Sequence, residues 1–315
     1  MLIIATNFQI QSDMKLYPTL PAQPIQNLLL IGAGLIGGSL TLALKKANAV
    51  KYITGVGRRE SVMREALQLG LIDDFVAPNT PEYAQAVANA DIIVLAMPVG
   101  QTQAVLRDLL PHLAPHTIIT DAGSTKQSVY EDALAVLNDK IHQFVLAHPI
   151  AGREVNGPAA ALADLYVGKK IMVCPTEYNS TEQIHTVVGM WQATGGQVYE
   201  LDLQAHDAIF AAVSHVPHVL AYALMNHVAD DALCDDKFAM AGAGFRDFTR
   251  IAAASPEMWR DVCLNNREAI VADLDAYLAH AQALRNQIAT SDSEALLNEF
   301  TRASEKRLAW GKDKE

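Results

Sequence analysis

Residues 28–39, LLLIGAGLIGGS, constrain this chain more than any other stretch. An apolar run leads into Gly32, Gly34 and Gly37, and a helical pattern at 40–46 follows at once. A strand, a tight turn and a helix start in that order make a cradle for a diphosphate. Unpaired backbone N–H groups and the helix dipole both favour negative charge there. Gly32 permits the turn, Gly34 lets backbone approach a pyrophosphate, and Gly37 lets the helix lie close to the strand. Three glycines can also be a plain loop. The flanking strand and helix are what point to a dinucleotide, held along Gly32, Gly34, Leu35, Ile36 and Gly37.

From 27 to about 200, strand-like runs (28–31, 52–56, 91–96, 117–121, 144–148, 170–174 and 197–201) alternate with helical stretches such as 60–69, 101–110 and 126–137. Several runs are continuously apolar, as strands covered on both faces are. This predicts an α/β, Rossmann-type, doubly wound and mostly parallel sheet over 25–200, preceded by an extended, poorly packed lead-in at 1–24. After 201 the strand signal stops. An alanine- and leucine-rich, all-helical domain follows over 201–311, opened by a long helix from about 202 to 230. Its apolar content exceeds what one small helical domain buries alone, so a homodimer through that domain is expected.

The formal charge of −11, from 24 basic and 35 acidic residues, argues against a nucleic-acid partner. No continuous apolar run approaches the length of a membrane span, so no membrane partner is expected. Residues 2–5 are apolar but lack the basic flank and cleavage site of a secretory signal, and Met14 competes with Met1 as the start. Cys174, Cys234 and Cys263 are odd in number and lack metal-ligand spacing, which fits a reduced cytoplasmic setting and no bound metal.

The second strand is followed by Gly57, Arg58 and Arg59, with no acid before Glu60. An acid there binds the ribose 2′-hydroxyl of NAD, whereas arginines suit a 2′-phosphate, so NADP is expected over NAD. Three more segments carry candidate chemistry. Ser124, in DAGSTK, follows a strand end where ligands of open sheets bind; Ser124 or Thr125 could instead simply cap the next helix. His148, in HPIAGRE, ends the next strand, where an imidazole can serve as a general base. Arg246 and Arg250, in GFRDFTR, suit carboxylate capture, although a surface ion pair would account for Arg246 equally well. In SHVPH, one of His215 and His218 faces a ligand while the other is packed or hydrogen-bonded.

GLIGGS, DAGSTK, HPIAGRE, SHVPH, GFRDFTR and SPEMW-x5-N (255–265) stand in an order that resembles the TyrA family, the prephenate and arogenate dehydrogenases of tyrosine biosynthesis. The resemblance spans about 27–305 and implies a nucleotide-binding domain joined to a helical dimerisation domain, in a stand-alone form. It implies an oxidative decarboxylation in which His148 accepts the C4 hydroxyl proton of a cyclohexadienol as hydride leaves for the cofactor. Ser124 would bind the same hydroxyl and help orient the imidazole, Arg250 would bind the substrate carboxylate, and His215 would line the site. The Arg58–Arg59 pair resembles the NADP-using branch, which tilts the expectation towards arogenate.

Two rivals make different demands on the residues. A β-hydroxyacid dehydrogenase needs a lysine in the first long helix of its second domain, and 202–230 contains none. An inactive NADP sensor has no use for Ser124, His148 and Arg250 together.

Overall fold

A computed structural model describes residues 14–20 and 24–312. The expectations for Met1 and for residues 2–5 lie outside them. Among the described residues nine strands form one sheet: β1 (Lys15–Leu16), β2 (Ile25–Ile31), β3 (Val50–Val56), β4 (Asp74–Val76), β5 (Ile92–Leu95), β6 (Ile118–Asp121), β7 (Phe144–Pro149), β8 (Lys170–Cys174) and β9 (Gln197–Glu200). Their spatial order is β1-β9-β8-β7-β6-β5-β2-β3-β4. Pairing is parallel from β4 through β7 and again between β8 and β9; β7–β8 and β1–β9 are antiparallel.

The chain runs outward from β2 through β3 to β4, then returns to lay β5 on the other side of β2. That reversal opens a ligand site beyond the carboxyl ends of β2 and β5. Alternate residues of β2 and β5 enter different cores: Leu28, Leu30, Ile92 and Val94 join one, Leu29, Ile31, Ile93 and Leu95 the other. Helices cover both faces, which is why β5 and residues 28–31 of β2 are apolar throughout. The helices of this region are α1 (Leu35–Lys46), α2 (Glu60–Gln68), α3 (Pro81–Asn89), α4 (Thr102–Leu109), α5 (Gln127–Leu137) and α6 (Thr181–Ala193).

The lead-in differs from expectation between residues 15 and 20. β1 pairs with β9, the Tyr17 hydroxyl donates to Glu200 Oε2 at 2.7 Å, and Leu20 N–H donates to Gln192 Oε1 at 2.8 Å. Without it β9 would be an open edge, and covering such an edge satisfies its backbone.

After β9 the chain is helical: α7 (Leu203–Phe210), a π-turn (Ala211–His215), α8 (Val216–Ala229), α9 (Cys234–Ala239), α10 (Ala243–Thr249), α11 (Pro256–Asn265), α12 (Arg267–Ala289) and α13 (Ser293–Lys312). The π-turn falls just before Pro217, whose ring and missing N–H disrupt the α ladder. Leu203–Ala229 is nonetheless one helical run of 27 residues holding an 18-residue window of mean hydropathy 1.6, a test by length and composition alone that the core helix of a soluble protein also passes.

By compactness the chain divides into residues 1–267 and 268–315, so α7–α11 belong with the sheet although the element type changes near 200. The second unit leaves Leu278, Leu297 and Phe300 exposed, and the first leaves Leu233, Met240 and Leu264 exposed.

Candidate active site

The glycine turn has the form that its sequence requires. Gly32 follows β2 with φ +102°, and a Cβ there would meet the Ala96 carbonyl oxygen at 2.5 Å. A Cβ at Gly37 would collide with the Gly32 carbonyl oxygen and crowd Leu30 and Ala96, so the helix lies as close to the strand as backbone allows. Gly34 is the N-cap of α1 and has open space where its side chain would be. No side chain caps α1 and no acid sits in its first turn. A free helix N-terminus beside open space fits the diphosphate of a dinucleotide.

Arg58 and Arg59 lie beyond β3, both exposed, with Arg58 Nη2 donating to Gln101 Oε1 at 2.9 Å. The nearby acid Glu60 is taken up by Arg64 at 2.5 Å.

The tips of β6 and β7 are locked together by a buried ion pair. Asp121 Oδ1 accepts from Ala147 N–H at 3.0 Å, and Oδ2 accepts from Gly123 N–H at 2.9 Å and from Lys126 Nζ. Lys126 is fully buried and also donates to the Ala147 carbonyl at 2.7 Å. Burial pushes the Asp121 carboxyl up, against the pull of Lys126 and the two backbone donors. This clamp sets Ser124 and His148 on adjacent strand tips.

Ser124 is half-buried there, and its hydroxyl is not the partner of the imidazole. His148 Nδ1 instead meets His206 Nε2 at 2.9 Å, and His206 Nδ1 meets Asp207 Oδ1 at 2.7 Å. Nor does Ser124 or Thr125 cap α5. Asp207 does so from α7, accepting from Lys126 N–H at 2.9 Å and from Gln127 N–H at 3.0 Å. Phe210 lies against both imidazoles, its ring centroid 5.1 Å from His148 and 4.6 Å from His206.

His215, on the π-turn, is buried. Asn266 Nδ2 donates to the Asp207 carbonyl at 2.9 Å and lies 3.1 Å from His215 Nδ1. The carbonyl needs a donor, so the amide nitrogen faces both groups and His215 Nδ1 accepts. The neutral ring therefore carries its proton on Nε2, which is buried without a partner among the described residues. An unpaired buried donor of this kind suits a ligand acceptor.

His218 is the packed histidine of the pair. Its Nδ1 donates to the Ser214 carbonyl at 2.8 Å, and its ring stacks on Trp259 with centroids 3.6 Å apart.

Burial is the main reason these histidines are neutral. It holds His148 well below its ordinary value, with His206, Lys126 and His215 acting in the same direction. His206 is lowered likewise by burial, then Lys126 and His215. His215 is brought to about 4, mainly by burial, with Asp207 opposing. Burial raises Asp207, against its two backbone donors.

Arg250 is 61% exposed and forms an ion pair with Glu154. Arg246 is also exposed and donates only to the Ala241 carbonyl, at 3.2 Å, so nothing in its contacts separates it from a surface arginine.

Models of the two domains of prephenate dehydrogenase match this chain, the nucleotide-binding domain over residues 40–200 and the dimerization domain over 202–302. The chain belongs to the prephenate dehydrogenase family. It is 34% identical to the prephenate dehydrogenase of Bacillus subtilis over 89% of this chain and 75% of that one. The prephenate dehydrogenase of A. aeolicus, solved with hydroxyphenyl propionate and NAD+, superposes with a TM-score of 0.84 at 30% identity, covering 92% of this chain and 99% of that one. An arogenate dehydrogenase from Synechocystis gives a TM-score of 0.74 at 27% identity over 90% and 99%. The family is one of pyridine-nucleotide oxidoreductases, which accords with the turn at Gly32–Gly37.

Sequence reasoning missed His206, Asp207, Asn266 and the Lys126–Asp121 clamp. A signal existed for one of them: Asp207 is the only charged residue of the apolar run 203–229. A lone acid in such a helix requires a partner.

Proposed function

We propose that this protein catalyses the oxidative decarboxylation of a cyclohexadienol bearing a C4 hydroxyl and a C1 carboxylate, prephenate or arogenate, with NADP as cofactor. The observation that carries this reading is the buried imidazole pair, His148 at a strand tip and His215 with an unpartnered N–H, in a chain of this family. Gly32, Gly34, Leu35, Ile36 and Gly37 would hold the diphosphate, and Arg58 and Arg59 the 2′-phosphate. When bound, the nicotinamide accepts a hydride from C4 of the substrate.

The chain's own groups do the rest. His148 is unprotonated at neutral pH and accepts the C4 hydroxyl proton. Ser124 donates to that oxygen from the neighbouring strand tip, and His215 Nε2–H donates to a substrate oxygen. Arg250 takes the ring carboxylate; that Glu154, itself a carboxylate, pairs with this guanidinium supports the assignment. The carboxylate leaves as CO2 and the ring becomes aromatic, so the enzyme's task is orientation and proton removal.

The working form is a homodimer through the helical region, which explains the exposed Leu233, Met240, Leu264, Leu297 and Phe300. Three free thiols accord with a cytoplasmic setting. The test is a steady-state assay crossing prephenate and arogenate with NAD and NADP, alongside a mass measurement in solution. Turnover of neither substrate would overturn the reading, and a monomer at assay concentration would remove the dimer.

A further inference from the structure

We propose that His206 and Asp207 are positioning residues that hold His148 as its Nδ1–H tautomer, so that the Nε2 lone pair faces the substrate. The inference rests on His148 being the base, and it concerns how that base is made ready.

The direction of the chain of hydrogen bonds follows from its far end. Asp207 uses both carboxylate oxygens to accept the N–H groups of Lys126 and Gln127, at 2.9 and 3.0 Å. A carboxylate committed as an acceptor obliges the facing His206 Nδ1, at 2.7 Å, to donate. A neutral imidazole that donates from Nδ1 can only accept at Nε2. That nitrogen lies 2.9 Å from His148 Nδ1, which must therefore carry the proton. What is left on His148 is an unprotonated Nε2. Reversing the chain would set a proton on Asp207 against two backbone donors.

His206 is fully buried, so water cannot substitute for it, and Phe210 lies against both rings. When His148 takes up a proton, the charge it gains is relayed through a hydrogen bond towards the Asp207 carboxylate, as a third group does for an imidazole base elsewhere. The same carboxylate caps α5, the helix that follows the Ser124 loop, so one side chain sets both strand-tip segments.

The experiment uses the full chain labelled with ¹⁵N-histidine, with long-range ¹H–¹⁵N correlation at mildly alkaline pH and His148 assigned through His148→Asn. The expected result is a protonated Nδ1 and a bare Nε2. A proton on Nε2 overturns the proposal whatever the enzyme's activity, so its failure is distinct from a failure to oxidise either substrate. His206→Leu, which removes the acceptor, is expected to shift His148 towards the Nε2–H form and to lower kcat by about 10²-fold or more, with KM within about threefold. His206→Gln keeps an acceptor oxygen and is expected to recover most of that loss. Unchanged kcat in the leucine variant, or equal losses in the two, would reduce His206 to a packing residue and overturn the proposal. If the leucine variant does not fold, the wild-type spectrum and the glutamine variant still decide.

Discussion

His148 and Arg250 are assigned to opposite ends of one substrate, yet the protein holds them by opposite means. His148 is buried, with one ring nitrogen committed to His206 and Phe210 against its face. Arg250 is 61% exposed and keeps a single partner, Glu154. The difference follows from what each must do. A base has to present one lone pair in one direction, which burial and a fixed tautomer secure. A cation that captures a carboxylate needs reach, and an arginine can exchange one carboxylate for another. Changes at the buried end should therefore strike turnover and stability, and changes at the exposed end should strike affinity.

The largest effect expected is at His148. His148→Asn should lower kcat by about 10³-fold with little change in KM, measured by steady-state reduction of the preferred cofactor. Near-normal turnover would move the base elsewhere and erase the contrast with Arg250.

Next comes the clamp under His148. Lys126→Met leaves Asp121 buried without its counter-ion and should cost about 3–5 kcal/mol in urea denaturation. Arg250→Ala, which breaks an exposed pair, should change stability by less than about 1 kcal/mol. Equal losses would mean that the two regions are not held differently.

Acid should expose the same asymmetry. His215 has a pKa of about 4 in the folded protein, below its ordinary 6.5, so the unfolded chain binds the extra proton between those values. Stability is intact above the unfolded value and falls as pH drops from 6.5 through about 4, by about 1.4 kcal/mol per pH unit for this one group. His215→Gln should show a slope shallower by that amount in a pH series of urea curves, and parallel slopes would contradict a buried neutral His215. His148 and His206 act in the same sense, while Asp121 and Asp207, raised by burial, act against them.

At the exposed end, Arg250→Ala should raise KM for the substrate by about 10- to 100-fold with kcat nearly kept, the cost of one charge-assisted pair. An unchanged KM would assign the carboxylate to another group.

The sequence made the periodic features legible. Strands β2, β5 and β7 are apolar on both faces, and the Gly32–Gly37 turn has its strand before it and its helix after it. β4 escaped because three residues carry no period, and β1 because its reason to be a strand is the β9 edge, where Lys15 pairs with Glu200, 185 residues on. At the site, residues at strand ends could be found by position, as Ser124 and His148 were. The partners of His148 could not. His206 and Asp207 meet it only because α7 packs against the start of α5 and so reaches the end of β7, a contact with no local trace beyond one acid in an apolar helix. The adjacency of the two strand tips was legible, but the second imidazole beside His148 was not.

The smallest effect expected is on cofactor choice. Arg58 and Arg59 lie exposed at the carboxyl end of β3, and Glu60 is held by Arg64, so no acid meets a ribose there. Arg58 already donates to a neutral acceptor, Gln101, and a 2′-phosphate would be the stronger one. Arg58→Asp would repel that phosphate and offer an acceptor to a 2′-hydroxyl instead. The ratio of kcat/KM for NADP to that for NAD should fall by about tenfold, mostly through KM, because an exposed guanidinium contributes binding and not orientation. A ratio unmoved by Arg58→Asp but moved by Arg59→Asp would shift the contact by one residue; a ratio moved by neither would mean that the phosphate is held away from β3, and that exposed arginines here tune nothing.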